Sequence, residues 1–214
     1  MADIPWTWLG IRASGITTWG LLTAVVVWGL LLRSRLLGRL AAPAPLLELH
    51  RWLGAVALVF LGIHLGLLLV DPSVHFTVTQ ILVPGLAPWS TTAVALGTIA
   101  LWLLVPVSVV GRIRTRLGKA GNTWFKRSHL LAYAAWPFAT AHYVLAGTDA
   151  LAAWSLAVLV AGVALVVVTL LARGFVPPPR PERRSRPAPA APATAAAGAV
   201  EVPGDQAEPR PGGL

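Results

Sequence analysis

The sequence has 214 residues, 56% of them hydrophobic and only 12% charged, with a formal net charge of +9 and no cysteine. Ordinary soluble domains carry roughly 25% charged residues, so this composition excludes a conventional water-soluble fold and points to a membrane protein. The cations fall in blocks between apolar runs, as the positive-inside rule produces, so nucleic acid is not the partner they imply; the lack of cysteine excludes disulfides, iron–sulfur clusters and thiolate metal sites.

Residues 1–15 read as an outer N-terminal segment with Trp6, Trp8 and a single Arg12. No basic cluster precedes the first apolar run, as a cleaved secretory signal would require. The run Ile16–Leu32 is followed by Arg33, Arg35 and Arg39, which predicts a first span with its N-terminus outside. Ala41–Pro45 forms a proline-broken connector, and the next apolar segment extends to Val70 before Asp71-Pro72, giving an outward-running second span. The loop 71–90 has no Lys or Arg, contains Pro72, Pro84, Gly85 and Pro88, and carries the apolar patch Ile81-Leu82-Val83, so it is expected to fold over the outer surface. The third span covers Thr91–Val110, with Pro106 kinking its inner end.

Arg112, Arg114, Arg116, Lys119, Lys126 and Arg127 then crowd one segment, which is expected on the cytoplasmic side. The fourth span runs from Ser128 to Ala146, with a helical lead-in capped at Asn122 or Thr123. A turn at Gly147-Thr148-Asp149 leads to the fifth span, Ala150–Ala172, which carries no charge. The expected fold is therefore all-α: a polytopic transmembrane helix bundle of about five spans, N-terminus out and C-terminus in. From residue 173 to 214 the composition turns to Pro, Ala and Arg, which predicts a disordered cytoplasmic tail. Its basic start either sets topology or binds anionic lipid headgroups.

The chemistry-bearing residues are four histidines inside these spans. His50 and His64 are fourteen residues apart, nearly four helical turns, which puts both on one face about 21 Å apart along the axis. His129 and His142 are thirteen apart, and an ideal helix would turn the second about 140° away from the first. Pro137 lies between them and frees a carbonyl, so a kink can restore alignment. Spans two and four run in the same direction, because one crossing separates them. His50 and His129 then share the inner depth, and His64 and His142 share the outer depth. Two bis-imidazole sites on facing helices are a recognised way to hold b-type hemes in a bundle.

Small residues flank these positions: Gly54, Gly62 and Gly66 in the second span, Ala132 and Ala139 in the fourth. They suit a flat macrocycle, although Gly62 and Gly66 equally fit a helix-packing motif. Heme propionates need cations. Arg51, Lys126 and Arg127 adjoin the inner pair, and Arg12 is the cation on the outer side, where it serves either a propionate or as an interface anchor. Taken singly, His50 and His129 also suit interfacial side chains, and His64 and His142 suit interhelical hydrogen bonds. Zinc fits less well, because each site offers two histidines with no thiol or nearby carboxylate. A proton relay also fits less well, the only acids at the spans being the boundary residues Glu48 and Asp71. His75, in the outer loop, reads as an exposed residue or a lone ligand.

The histidine pairs and their spacings resemble the ferric reductase-like transmembrane domain, a superfamily with ferric reductases, the membrane part of NADPH oxidases and the heme-binding subunit of methionine sulfoxide reductase systems. Arg-Ala-Ser-Gly at Arg12–Gly15, His-Arg-Trp-Leu at His50–Leu53, His-Leu-Leu-Ala-Tyr at His129–Tyr133 and His-Tyr-Val-Leu-Ala-Gly-Thr-Asp at His142–Asp149 resemble bacterial members. The likeness runs over roughly residues 10–172, with 16–172 as the heme-binding domain. It implies that His50, His64, His129 and His142 are axial iron ligands of two hemes b carrying electrons outward.

Many members have six spans where five are expected here, and about forty residues follow the last one, too few for a flavin and nicotinamide domain. The expected donor is thus a separate cytoplasmic flavoprotein reductase or a membrane quinol, and the acceptor is an outer-face oxidant or partner reductase. The resulting expectation is a bacterial plasma-membrane b-type cytochrome, the electron-transfer component of an oxidoreductase. A non-redox membrane scaffold or partner subunit, and a heme-binding sensor, are the competing readings.

Overall fold

The structure, a computed structural model, describes residues 6–34, 43–113 and 116–175. These residues form six helices: α1 Trp6–Ser34, α2 Pro43–Val70, α3 Val78–Leu82, α4 Thr91–Ile113, α5 Gly118–Ala146 and α6 Ala153–Phe175. All belong to one compact unit, and no strand occurs among the described residues. The tail expected beyond residue 175 lies outside them.

Four helices, α1, α2, α4 and α6, are long and apolar enough to cross a membrane, which makes the chain a membrane protein. Their outward faces carry Val59, Leu69, Val160, Val168 and Leu171 exposed, an arrangement that water would penalise and lipid accepts. Helix α5 is as long as α1, at 29 residues, but does not meet the same apolar standard. Its first half holds Lys119, Asn122, Lys126 and Arg127, and its second half turns His, Tyr and Trp inward.

Several boundaries differ from the sequence expectation. Helix α1 begins at Trp6 rather than Ile16, because nothing in 6–15 stops a helix and Thr7 is tied down by its hydroxyl donating to Asp71 Oδ1 at 2.7 Å. Helix α2 begins at Pro43, within the expected connector, since a proline in the first turn sacrifices only an N–H that has no helical partner. The lead-in to α5 starts at Gly118 with Leu117 as N-cap. Neither Asn122 nor Thr123 caps it; the Thr123 hydroxyl bonds back to the Lys119 carbonyl at 3.4 Å.

Helix α2 packs along α1, α4 along α5, and α1 also meets α5 and α6. Helix α1 is therefore the central post, and its Val26, Val27 and Leu30 form a buried cluster with Val166 of α6, against Tyr133 and Trp136 of α5. A closed ring of four hydrogen bonds joins α1 to α5. Trp19 Nε1 donates to Thr140 Oγ1 at 3.0 Å, and the Thr140 hydroxyl donates to the Trp136 carbonyl at 2.9 Å. Trp136 Nε1 donates to Thr23 Oγ1 at 2.9 Å, and the Thr23 hydroxyl returns to the Trp19 carbonyl at 2.9 Å. Each helix contributes a Trp and a Thr four residues later, the spacing that places both on one face. Every polar atom in the ring is satisfied, as an apolar surrounding demands.

The loop 71–90 runs along α4, to which Thr98 and Trp102 tie it. Thr77 and Gln80 cap α3 reciprocally, and Ile81 is buried with Phe76 and Ala87. The last carbonyls of so short a helix have no helical donors. Thr98 of α4 donates its hydroxyl to the Ile81 carbonyl at 2.9 Å, and Trp102 Nε1 donates to the Leu82 carbonyl at 2.8 Å. Side chains of α4 thereby complete α3.

Candidate functional site

The four histidines meet in two pairs. The rings of His50 and His129 have centres 6.0 Å apart and planes inclined at 60°; those of His64 and His142 are 6.4 Å apart at 77°. His129 and His142 both reach their partners although thirteen residues of ideal helix would turn them apart. Helix α5 runs unbroken through Pro137, which has no N–H for the Tyr133 carbonyl and so removes one bond that would hold the helix to ideal winding. Helices α2 and α5 are not packed on one another; α1 touches both and α4 packs along α5, and the imidazoles reach across the space between α2 and α5.

That space opens as a cavity at the outer pair. Its volume is about 190 Å3. Its walls are largely apolar, with Leu61, Leu65 and Leu68 of α2, Leu101 and Leu104 of α4, and Trp8 of α1 among the lining residues. Trp19 and Tyr143 stack at its floor with ring centres 5.0 Å apart, and the Tyr143 hydroxyl shares a 2.6 Å hydrogen bond with Ser155.

Each outer imidazole is held from behind by a backbone carbonyl. His64 Nδ1 lies 2.9 Å from the Ile11 carbonyl of α1, and His142 Nδ1 lies 2.7 Å from the Ala93 carbonyl of α4. A carbonyl only accepts, so Nδ1 carries the proton in both rings and Nε2 keeps its lone pair for the gap. This is the arrangement in which histidine binds a metal through one nitrogen while the other is oriented by an acceptor. At the inner pair, Phe125 packs on His129 with ring centres 5.0 Å apart.

The imidazole rings are admitted by glycines of the neighbouring helices, a role separate from the macrocycle relief expected of the α2 glycines. Gly54, Gly62 and Gly66 of α2 face open space, whereas a Cβ on Gly15 would stand 3.0 Å from His64, on Gly29 3.2 Å from His50, and on Gly97 2.8 Å from His142. The relief lies on the neighbouring helix because a side chain extends away from its own backbone. A signal for it exists in the sequence: Gly15 and Gly29 are fourteen residues apart, like His50 and His64, and so are Gly97 and Gly111.

The expected cations are distributed differently. Arg12 reaches the outer cavity and forms an ion pair with Asp149, tying the start of α1 to the turn before α6. Arg51 is 67% exposed and pairs with Glu48 at 3.2 Å, one turn away on α2. Arg127 is exposed. Asp71 is buried under the cavity rim, accepting from Thr7 and from the Ser73 and Val74 amides at 3.1 and 3.2 Å. His75 is exposed, with a positive φ of 54° in the turn that follows. Among the described residues no group of three or more His, Asp or Glu gathers about one point, so neither pair is completed by a carboxylate.

An imidazole nitrogen binds a divalent metal at about 2.0–2.1 Å and stands about 1.1 Å from its ring centre, so two imidazoles sharing one ion in line have centres about 6.2–6.4 Å apart. The His64–His142 separation of 6.4 Å meets that range, and the His50–His129 separation of 6.0 Å falls slightly short of it. Comparison with known proteins returned no matching family model, curated protein or solved structure.

Proposed function

We propose that this protein is a membrane b-type cytochrome that passes electrons through two bis-histidine hemes, from a cytoplasmic flavoprotein or a membrane quinol to an acceptor at the outer face. The observation that carries the reading is the pair of facing imidazole couples at the separation for two axial ligands, stacked along one bundle. His50 with His129 would hold the inner heme and His64 with His142 the outer one. Two ligands per site with no third donor suit a macrocycle that supplies the other four positions. Bound heme would supply reversible one-electron chemistry. The chain's own share is to fix ring orientation, keep water from the apolar cavity and set the electrostatics around each site.

Arg12 is the cation placed to meet an anionic group at the outer cavity, in exchange with Asp149. Arg127, Lys119 and Lys126 form the basic inner surface against which an acidic donor would dock. The topology that goes with this reading is five spans in a bacterial plasma membrane, with α5 as the fourth and the N-terminus outside. Because the chain has no cysteine, single cysteines report it without background. Ser73→Cys and Thr148→Cys should react with an impermeant maleimide from the outer face, and Lys119→Cys only after permeabilisation.

The deciding experiment is a reduced-minus-oxidised spectrum of the purified protein with heme extracted and quantified per chain. Two hemes with low-spin b-type bands are expected. No heme in protein made with ample heme supply would overturn the reading and leave a scaffold.

A further inference from the structure

Two of the three histidines that touch glycine, His64 and His142, are received by one repeated local device. In an α-helix the N–H of residue i+4 bonds to the carbonyl of residue i, so the side chain at i+4 lies beside that carbonyl and shields its second lone pair. A glycine at i+4 leaves the lone pair open. His64 stands against Gly15 and bonds to the carbonyl of Ile11, four residues earlier. His142 stands against Gly97 and bonds to the carbonyl of Ala93, again four residues earlier. His50 stands against Gly29 in the same way, but its Nδ1 has no hydrogen-bond partner.

Resting on the cytochrome reading, we propose that Gly15 and Gly97, with the carbonyls of Ile11 and Ala93, are positioning elements that seat His64 and His142 and fix which ring nitrogen faces the iron, and that Gly29 seats His50 by contact alone. The cradle does two things that general packing does not. It selects the Nδ1-protonated tautomer, leaving Nε2 as the ligand. By accepting the Nδ1 proton it makes the imidazole more basic, which favours the oxidised metal and lowers its potential. The clamp is complete at His64 and His142, while His50 has the glycine contact without the hydrogen bond, so the tautomer is fixed at the outer site.

The test uses the full chain with alanine at Gly15, Gly29 and Gly97, and at Gly20 and Gly62, where a Cβ meets nothing within 4 Å. In heme-free protein carrying 15N-histidine, His64 and His142 should be protonated at Nδ1. Gly97→Ala should abolish this at His142 alone, and Gly15→Ala at His64 alone. In heme-loaded protein, Gly15→Ala and Gly97→Ala should each raise the midpoint potential of one heme or release it, Gly29→Ala should affect the other heme, and Gly20→Ala and Gly62→Ala neither.

Should Gly97→Ala fail to accumulate, Gly15→Ala gives the same readout at His64 with a wider contact, 3.0 Å against 2.8 Å. The proposal is overturned if Gly15→Ala and Gly97→Ala leave tautomers and potentials as in the parent, or if Gly62→Ala moves them as much. A heme-free parent overturns the cytochrome reading, and the tautomers then decide the cradle alone: Nδ1–H supports it and Nε2–H overturns it.

Discussion

The outer and inner histidine pairs are both carried by α2 and α5 at nearly the same ring separation, yet they are held differently. Both outer rings are pinned from behind by carbonyls at 2.7 and 2.9 Å and open onto an apolar cavity. At the inner pair His50 rests on Gly29 without a hydrogen bond at Nδ1, and His129 is packed by Phe125. The difference teaches that bringing two imidazoles together and orienting them are separate problems. Helix pairing solves the first; a carbonyl left open by a missing side chain solves the second.

The comparison breaks most visibly by removing one ligand at a time. His142→Ala should lower heme from two per chain to one and spare the inner low-spin spectrum, whereas His50→Ala should spare the outer one, as read by heme extraction and difference spectra. If either variant loses both hemes, the sites are not independent. A smaller effect is expected from Thr23→Val, which removes two bonds of the α1–α5 ring and leaves the Trp136 N–H without its acceptor. It should cost about 1–3 kcal/mol, measured by unfolding in detergent, and disturb both sites alike.

Thr98→Val leaves the Ile81 carbonyl without its α4 donor and should cost about 1 kcal/mol. Because Ile81 lines the outer cavity, the variant should speed ligand or reductant access to the outer heme and leave the inner one unchanged, as followed by stopped-flow reduction. The smallest effect belongs to Asp149→Asn. The Arg12–Asp149 pair is about 30% exposed on each side, so its loss should cost under about 1 kcal/mol of thermal stability, and added salt should erase the difference.

Much of this arrangement was legible in the residues. Alternating apolar runs and basic blocks gave the long helices, and the parity of crossings between the two histidine helices gave the partners, His50 with His129 and His64 with His142, which the structure brings within 6.0 and 6.4 Å. The first helix was misjudged by ten residues, because Trp6–Gly15 looks polar enough for a loop until Thr7 and Arg12 find Asp71 and Asp149. Arg51 was expected at the inner site on sequence adjacency alone, but a residue beside a ligand on a helix points about 100° away from it. Arg51 accordingly turns to Glu48.

The sequence by itself determined that the chain is an all-helical membrane protein and which histidines share a depth, since hydropathy, charge and helical period are local properties carried by the residues themselves. Only the tertiary structure decided which glycines receive the rings, which carbonyls orient them, how the outer loop finds its donors on α4, and where Arg12 is spent. Those are contacts between residues far apart in the chain, and they depend on how neighbouring helices are rotated about their axes, which no single helix specifies.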